Sequence, residues 1–249
     1  MDQSRELQHV KEQKWFYEFV LPDGTTTESY LAPAARAIHA TREKVLRRYL
    51  NDRQDLRSTA LDVACHEGFF SMVLADYFTS VTAFDKNTDS IVKARQITSL
   101  LGRPDITFKD SSVEAWDPGA GADFVLCFGL LYHVENPVAI IRKLATLAGK
   151  AICIESQVLP FNVTGAIEDG AHNWQRSLRG TFGLCADYSH SPEGGTTDFA
   201  LVPSREALRF LLTSFGFADI QFYTPERGDY EQYVRGHRVI VFATRDASQ

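Results

Sequence analysis

Leu61-Asp62-Val63-Ala64-Cys65-His66-Glu67-Gly68-Phe69-Phe70-Ser71, followed by an acid at Asp85, is the stretch that decides the fold. Thr59–Val63 is an apolar run of β type, Phe69–Phe78 is an apolar stretch of helical length, and Ser80–Phe84 is a second short strand closed by Asp85. Strand, tight loop, helix and strand in that succession build a parallel α/β sheet. A carboxylate at the end of the second strand can accept both hydroxyls of a ribose. The loop departs from the dinucleotide fingerprint, because only Gly68 of the three usual glycines is present and Ala64 and His66 hold the other two places. A pyrophosphate resting on a helix N-terminus needs those glycines so that the backbone can approach it. The pattern therefore fits a nucleoside ligand that carries no pyrophosphate.

Further along, Ala122–Phe128 (ADFVLCF) is followed by Gly129-Leu130-Leu131-Tyr132-His133, and Asn136 and Pro137 open a helix as its cap and first residue. Pro203–Phe217 (PSREALRFLLTSFGF), Asp219–Tyr223 and His237–Thr244 come further on. With these segments the chain resembles the class I S-adenosylmethionine-dependent methyltransferases, over roughly residues 55–155 and 200–245. The resemblance implies an α/β fold: a Rossmann-like, mostly parallel seven-stranded sheet with helices on both faces and an antiparallel last strand. Within the family, Leu131 to Pro137 is most similar to the branch containing the tRNA wobble-uridine carboxymethyltransferases. That branch also holds small-molecule and sugar methyltransferases, so the acceptor stays open.

The resemblance implies S-adenosylmethionine as cofactor, S-adenosylhomocysteine as product, and a set of residue roles. The backbone of Asp62–Gly68, with Ala64, Cys65 and Gly68, is expected to wrap the methionine part, and Asp62 to reach its ammonium. Asp85 is assigned the ribose hydroxyls. Lys86 or Asn87 is expected beside the adenine, with Ser112 and Val113, and more weakly Asp110, at its edge. Phe128, Gly129 and Leu130 are expected near the sulfonium. Since a sulfonium is already an activated electrophile, an enzyme gains mainly by holding the nucleophile in line and excluding water. A general base is needed only where the nucleophile must lose a proton, and Tyr132 and His133 sit where such catalytic groups belong. Substrate contacts are expected from Tyr17 in the aromatic run Trp15-Phe16-Tyr17, and from Trp174 and Arg179, with Arg176 and Tyr188 nearby. Arg235, His237 and Arg238 lie beside the last strand.

At 249 residues with 44% hydrophobic side chains, the chain can supply one α/β domain with accessories. The expected division is 1–54 as an N-terminal hairpin and helix that could form a lid, 55–155 as the cofactor-binding half, 156–202 as a Gly-rich polar insertion for substrate, and 203–249 as the last helix and closing strands. The hairpin is expected to turn at Pro22-Asp23-Gly24. A net charge of −6 argues against a protein held to nucleic acid by many phosphate contacts. Arg42, Lys44, Arg47 and Arg48 on the expected helix Ala34–Leu50 are read as a solvated face. No apolar run reaches the length of a membrane span, and Met1–Lys14 lacks the apolar core of a signal peptide, so a cytoplasmic location is expected. Four cysteines without a Cys-x-x-Cys pair suggest small buried hydrophobes, and no metal site is expected. The expected partner is a small-molecule acceptor. The alternatives are a tRNA wobble-base enzyme, with the carboxylated form of the cofactor left open, and a non-catalytic S-adenosylmethionine-binding subunit.

Overall fold

The alternation of short β-type runs with amphipathic stretches is realised, in a computed structural model, as an α/β architecture. The structure describes residues 3–117, 119–172, 174–187 and 197–246, and the chain divides into two units, 1–127 and 128–249.

In the first unit, α1 (Gln3–Glu12), β1 (Lys14–Trp15), β2 (Glu28–Ser29) and α2 (Pro33–Asn51) precede β3 (Thr59–Val63), α3 (Phe69–Ala75), β4 (Ser80–Asp85), α4 (Thr88–Leu100), β5 (Ile106–Asp110) and β6 (Ala122–Phe128). Helix α1 buries only Val10 and so offers no apolar stripe to read in the sequence. The Pro22–Gly24 turn forms as expected, with the Leu21 N–H donating to the Thr25 carbonyl (2.8 Å) and Gly24 at φ +81. The flanking runs do not form the expected hairpin ladder: β1 and β2 pair in parallel, and the antiparallel contacts near the turn are a bridge between Val20 and Thr26 and a bond from the Thr27 N–H to the Phe19 carbonyl (2.9 Å). Between them the Thr27 hydroxyl stands in for ladder bonds, accepting from the Phe19 N–H (2.8 Å) and donating to the Tyr17 carbonyl (3.1 Å). Strand β3 lies between β4 and β6 and pairs in parallel with both. Burial from Ala60 to Val63 explains why it reads as an unbroken apolar run.

In the second unit a 3-10 turn (Leu131–His133) leads to α5 (Pro137–Leu147), β7 (Ala148–Gln157), β8 (Thr164–Asp169), β9 (Trp174–Arg179), β10 (Phe182–Ala186), β11 (Phe199–Pro203), α6 (Arg205–Ser214), β12 (Asp219–Phe222), α7 (Glu231–Val234) and β13 (Arg238–Thr244). The Asn136 side chain caps α5 by accepting from the Ala139 N–H (3.0 Å), with Pro137 in the first turn. The polar insertion is more ordered than its composition suggests, since β8–β9 and β10–β11 are antiparallel ribbons. One of its glycines serves close packing: at Gly180 (φ +103) a Cβ would lie 2.3 Å from the backbone nitrogen of Ala207. The helix expected from Pro203 begins at Arg205, because Pro203 ends β11 and Ser204 caps α6 through the Ala207 N–H (3.2 Å), and a short helix, α7, follows it before the closing strand.

Seven strands join one sheet in the order β12-β13-β7-β6-β3-β4-β5. The last strand, β13, is antiparallel to both of its neighbours, as expected. This is a Rossmann-like sheet, parallel from β6 through β5 and closed by an antiparallel last strand.

Candidate functional site

A loop that turns a parallel strand directly into a helix must reverse its direction within a few residues, which demands left-handed backbone. In the first unit, Ala64 (φ +59), His66 (φ +51) and Gly68 (φ +79) all take that conformation, so the three glycine places of the fingerprint keep its geometry without two of its glycines. An L-residue in that region costs about 1–2 kcal/mol. The Asp85 carboxylate holds the loop, accepting from the His66 N–H (2.9 Å) through Oδ2 and from the Asn87 N–H (2.8 Å) through Oδ1. Each carboxylate oxygen has a second lone pair for a hydroxyl donor. Gly68 is fixed by packing as well as by φ, because a Cβ there would lie 2.8 Å from the Phe108 ring.

Asp62 is buried and accepts from the Ser71 hydroxyl (2.6 Å). Its carboxyl is pushed up to about 7, chiefly by burial and further by the charge of Asp85, with the Ser71 hydrogen bond opposing. Cys65 is buried beside it, its thiol raised by burial, and its N–H donates to the Phe84 carbonyl (3.1 Å). Lys86 is exposed. Asn87 caps α4 by accepting from the Ser90 N–H (3.2 Å), so its side chain is committed to the helix. Ser112 accepts from the Ala115 N–H (3.3 Å) in a turn that buries Val113. Asp110 accepts from the Thr88 hydroxyl (2.7 Å).

Glu67 is the residue of this loop that the sequence did not single out. It is buried, accepts from the N–H groups of Phe16 (2.8 Å) and Tyr17 (3.3 Å), and pairs with Lys93 (3.0 Å). The Lys93 ammonium also donates to the Lys14 carbonyl (2.6 Å). Its signal was an acid directly before the helix-opening glycine, where a solvated side chain reads identically. Through it the aromatic run lies along the loop: the Phe16 ring is 4.7 Å from that of His66, and the Tyr17 ring stacks on Phe69 at 5.0 Å. Tyr17, expected as a substrate contact, is buried among the aromatics, and burial pushes its hydroxyl well above the ordinary tyrosine value. Arg42, expected on a solvated face, is also buried.

In the second unit, Phe128 is buried and Leu130 half-buried, leading into the turn that carries the two catalytic candidates. The Tyr132 hydroxyl lies 3.2 Å from a guanidinium nitrogen of Arg238, and that guanidinium also sits over the Tyr132 ring at 4.6 Å. Arg238 is itself fixed by Glu155 (2.9 Å) and Gln232 (2.6 Å), and Tyr233 donates to the same Glu155 oxygen (3.0 Å). Glu155 is fully buried; the sequence signal was a lone acid inside an apolar strand. Nδ1 of His133 lies 3.0 Å from Oδ2 of Asp187, a partner 54 positions away that no local pattern marks. Trp174 and Arg179 both lie on β9 and are exposed, but the alternation of the strand puts them on opposite faces of the ribbon. Arg176 shares the face of Trp174, with its guanidinium 5.7 Å from the indole ring. Tyr188 lies outside the described residues. Among the described residues no three histidine, cysteine or acidic side chains gather as a metal site, and no helix is long and apolar enough to cross a membrane.

The model of a methyltransferase-domain family matches residues 34–221. The N-terminal domain of EvdMO1, crystallised in the presence of S-adenosylhomocysteine and D-fucose, superposes with a TM-score of 0.72 over 99% of this chain and 98% of that one, at 18% identity. Magnesium protoporphyrin IX methyltransferase from Synechocystis PCC 6803, with bound S-adenosylmethionine, gives a TM-score of 0.58 over 88% of this chain and 86% of that one, at 17% identity. At such identities the likeness shows the fold. A ubiquinone biosynthesis O-methyltransferase of Paracidovorax citrulli is 34% identical over 89 residues, 35% of this chain and 37% of that protein. The chain thus matches little more than a third of that curated relative's length.

Proposed function

We propose, from the premise that the chain belongs to the class I methyltransferase family, that it uses S-adenosylmethionine to methylate a small-molecule acceptor. The observation that carries this is the loop after β3, left-handed at residues 64, 66 and 68 and tied through the His66 N–H to the Asp85 carboxylate. When bound, S-adenosylmethionine supplies a methyl group on a sulfonium, an electrophile that needs no activation by the protein. The residues present fit such a group. Asp85 offers lone pairs to the ribose hydroxyls, and buried Asp62 would be restored to its ionised form by an ammonium beside it. Gly68 lets the helix begin close to the ligand. His133 and Tyr132 are the candidates for taking a proton where the acceptor must lose one.

The names of the relatives, an O-methyltransferase of ubiquinone biosynthesis and a porphyrin methyltransferase, support a small organic acceptor. The similarity of the Leu131–Pro137 segment to the wobble-uridine branch supports a tRNA base as the second acceptor class. Free cysteines at 65, 127, 153 and 185 fit a reducing, cytoplasmic setting.

Calorimetry tests the cofactor. S-adenosylhomocysteine should bind saturably at micromolar concentration, NAD and NADP should give no saturable heat, and Asp85→Ala should weaken the binding at least tenfold, as expected for charge-assisted bonds of about 1.5–3 kcal/mol. Saturable NAD binding with no response to S-adenosylhomocysteine would end this proposal.

A further inference from the structure

A neutral imidazole acts as a base only through the nitrogen that carries no proton, so its tautomer decides which nitrogen can work. In the second unit Nδ1 of His133 faces both carboxylate oxygens of Asp187, at 3.0 Å to Oδ2 and 3.2 Å to Oδ1. A carboxylate only accepts, so this contact assigns a proton to Nδ1 and, in that tautomer, leaves the lone pair to Nε2. The backbone brings the two residues together. The Leu201 N–H donates to the Val134 carbonyl (3.1 Å), which seats β11 beside the turn carrying His133. The Asp187 N–H donates to the Asp198 carbonyl (2.9 Å), carrying the β10–β11 ladder one step past its last strand pair, Ala186 with Phe199. The carboxylate is the more sheltered partner, at 12% side-chain exposure against 22% for the imidazole. A sheltered acid behind a reachable ring is the arrangement that orients a base. Tyr132, whose ring is 4.2 Å from that of His133, is held from its own side by Arg238, so the turn is fixed at both residues.

We propose that Asp187 is a positioning residue that fixes His133 with Nε2 as its basic nitrogen, the form able to take the proton of an un-ionised hydroxyl acceptor. This rests on the methyltransferase reading above. For a hydroxyl acceptor, the proton released as oxygen bonds to the methyl carbon would pass to Nε2. The electron pair of the broken carbon–sulfur bond stays on sulfur, so a neutral thioether leaves and the positive charge ends on the imidazolium. A thiolate or a carboxylate would need no such base.

The test is nitrogen NMR of protein labelled with 15N-histidine, in alkaline buffer where the rings are neutral, with the His133 signal identified by its loss in His133→Gln. The wild-type protein should show Nδ1–H. Asp187→Ala should move His133 to Nε2–H, and Asp187→Asn, whose amide oxygen still accepts, should restore Nδ1–H, all three with matching thermal unfolding. An Nε2–H tautomer in the wild type, or a tautomer indifferent to Asp187→Ala, would overturn the assignment. Because this readout needs no cofactor, a wild-type Nδ1–H tautomer in a protein that ignores S-adenosylhomocysteine would instead defeat the methyltransferase proposal alone.

Discussion

Ala64 and His66 occupy backbone conformations that glycine would take at no steric cost, so the loop after β3 holds strain of about 1–2 kcal/mol at each. That strain persists because Asp85 holds the His66 N–H and Cys65 donates to the Phe84 carbonyl. Asp62 carries a second cost. Its carboxyl, pushed up to about 7 by burial, stands above the ordinary value near 4. A raised folded-state pKa contributes stability that is full below the unfolded value and is lost as pH rises through 7. In the ligand-free protein Asp62→Asn should therefore raise the melting temperature at pH 8 and change it little at pH 4. Binding an ammonium requires the ionised form, so wild-type affinity for S-adenosylhomocysteine should climb from pH 5.5 to about 7 and level off above. In Asp62→Asn that climb should disappear and affinity at pH 8 should fall roughly tenfold or more, since hydrogen bonds to charged groups contribute about 1.5–3 kcal/mol. Titration calorimetry across that range checks both, and a wild-type affinity flat with pH would show that Asp62 does not face the ammonium.

At the scale of elements, the N-terminal strap of the first unit is held less by its strands than by one buried acid. Strands β1 and β2 contribute two residue pairs, whereas Glu67 accepts from two strap amides and pairs with Lys93, which in turn donates to the Lys14 carbonyl. Glu67→Ala would leave those donors without their acceptor, at a cost on the order of 3 kcal/mol, while Glu67→Gln keeps an acceptor and should lose less. Hydrogen exchange should show the Phe16 and Tyr17 amides losing protection in Glu67→Ala while those of β3 keep theirs. Unchanged protection at residues 16 and 17 would mean that something else holds the strap. This latch was not legible in the sequence, although the elements around it were. The bounds of β3 and β6 and the Asn136–Pro137 start of α5 follow from local periodicity and capping, which act within a few residues. Helix α1 escaped because it buries a single residue, and the β8–β9 and β10–β11 ribbons escaped because their glycines and polar residues read as loop.

Across the whole molecule, what the sequence concealed are pairings between distant positions: His133 with Asp187 and Arg238 with Glu155, 54 and 83 positions apart. Charge bears on the acceptor in the same way, since 26 basic residues against 32 acidic ones set a balance that only a local basic face could reverse. The best such face in the sequence was Arg42, Lys44, Arg47 and Arg48 on α2, and folding dismantles it. Arg42 is buried, and Arg47 pairs with Glu43 (2.8 Å) and Asp76 (2.9 Å), leaving Lys44 and Arg48 as the exposed members. A tRNA-modifying enzyme collects several phosphate contacts, each adding about 0.7–0.9 to the slope of log affinity against log salt. Two exposed cations on this face are too few for it to hold tRNA, so filter binding at physiological salt should detect no tRNA retention, and Lys44→Glu with Arg48→Glu should leave low-salt binding within about twofold of wild type. Tight retention at physiological salt that the double reversal releases would transfer the acceptor from a small molecule to nucleic acid, and with it the role of the Leu131–Pro137 segment to the wobble-uridine branch that it resembles.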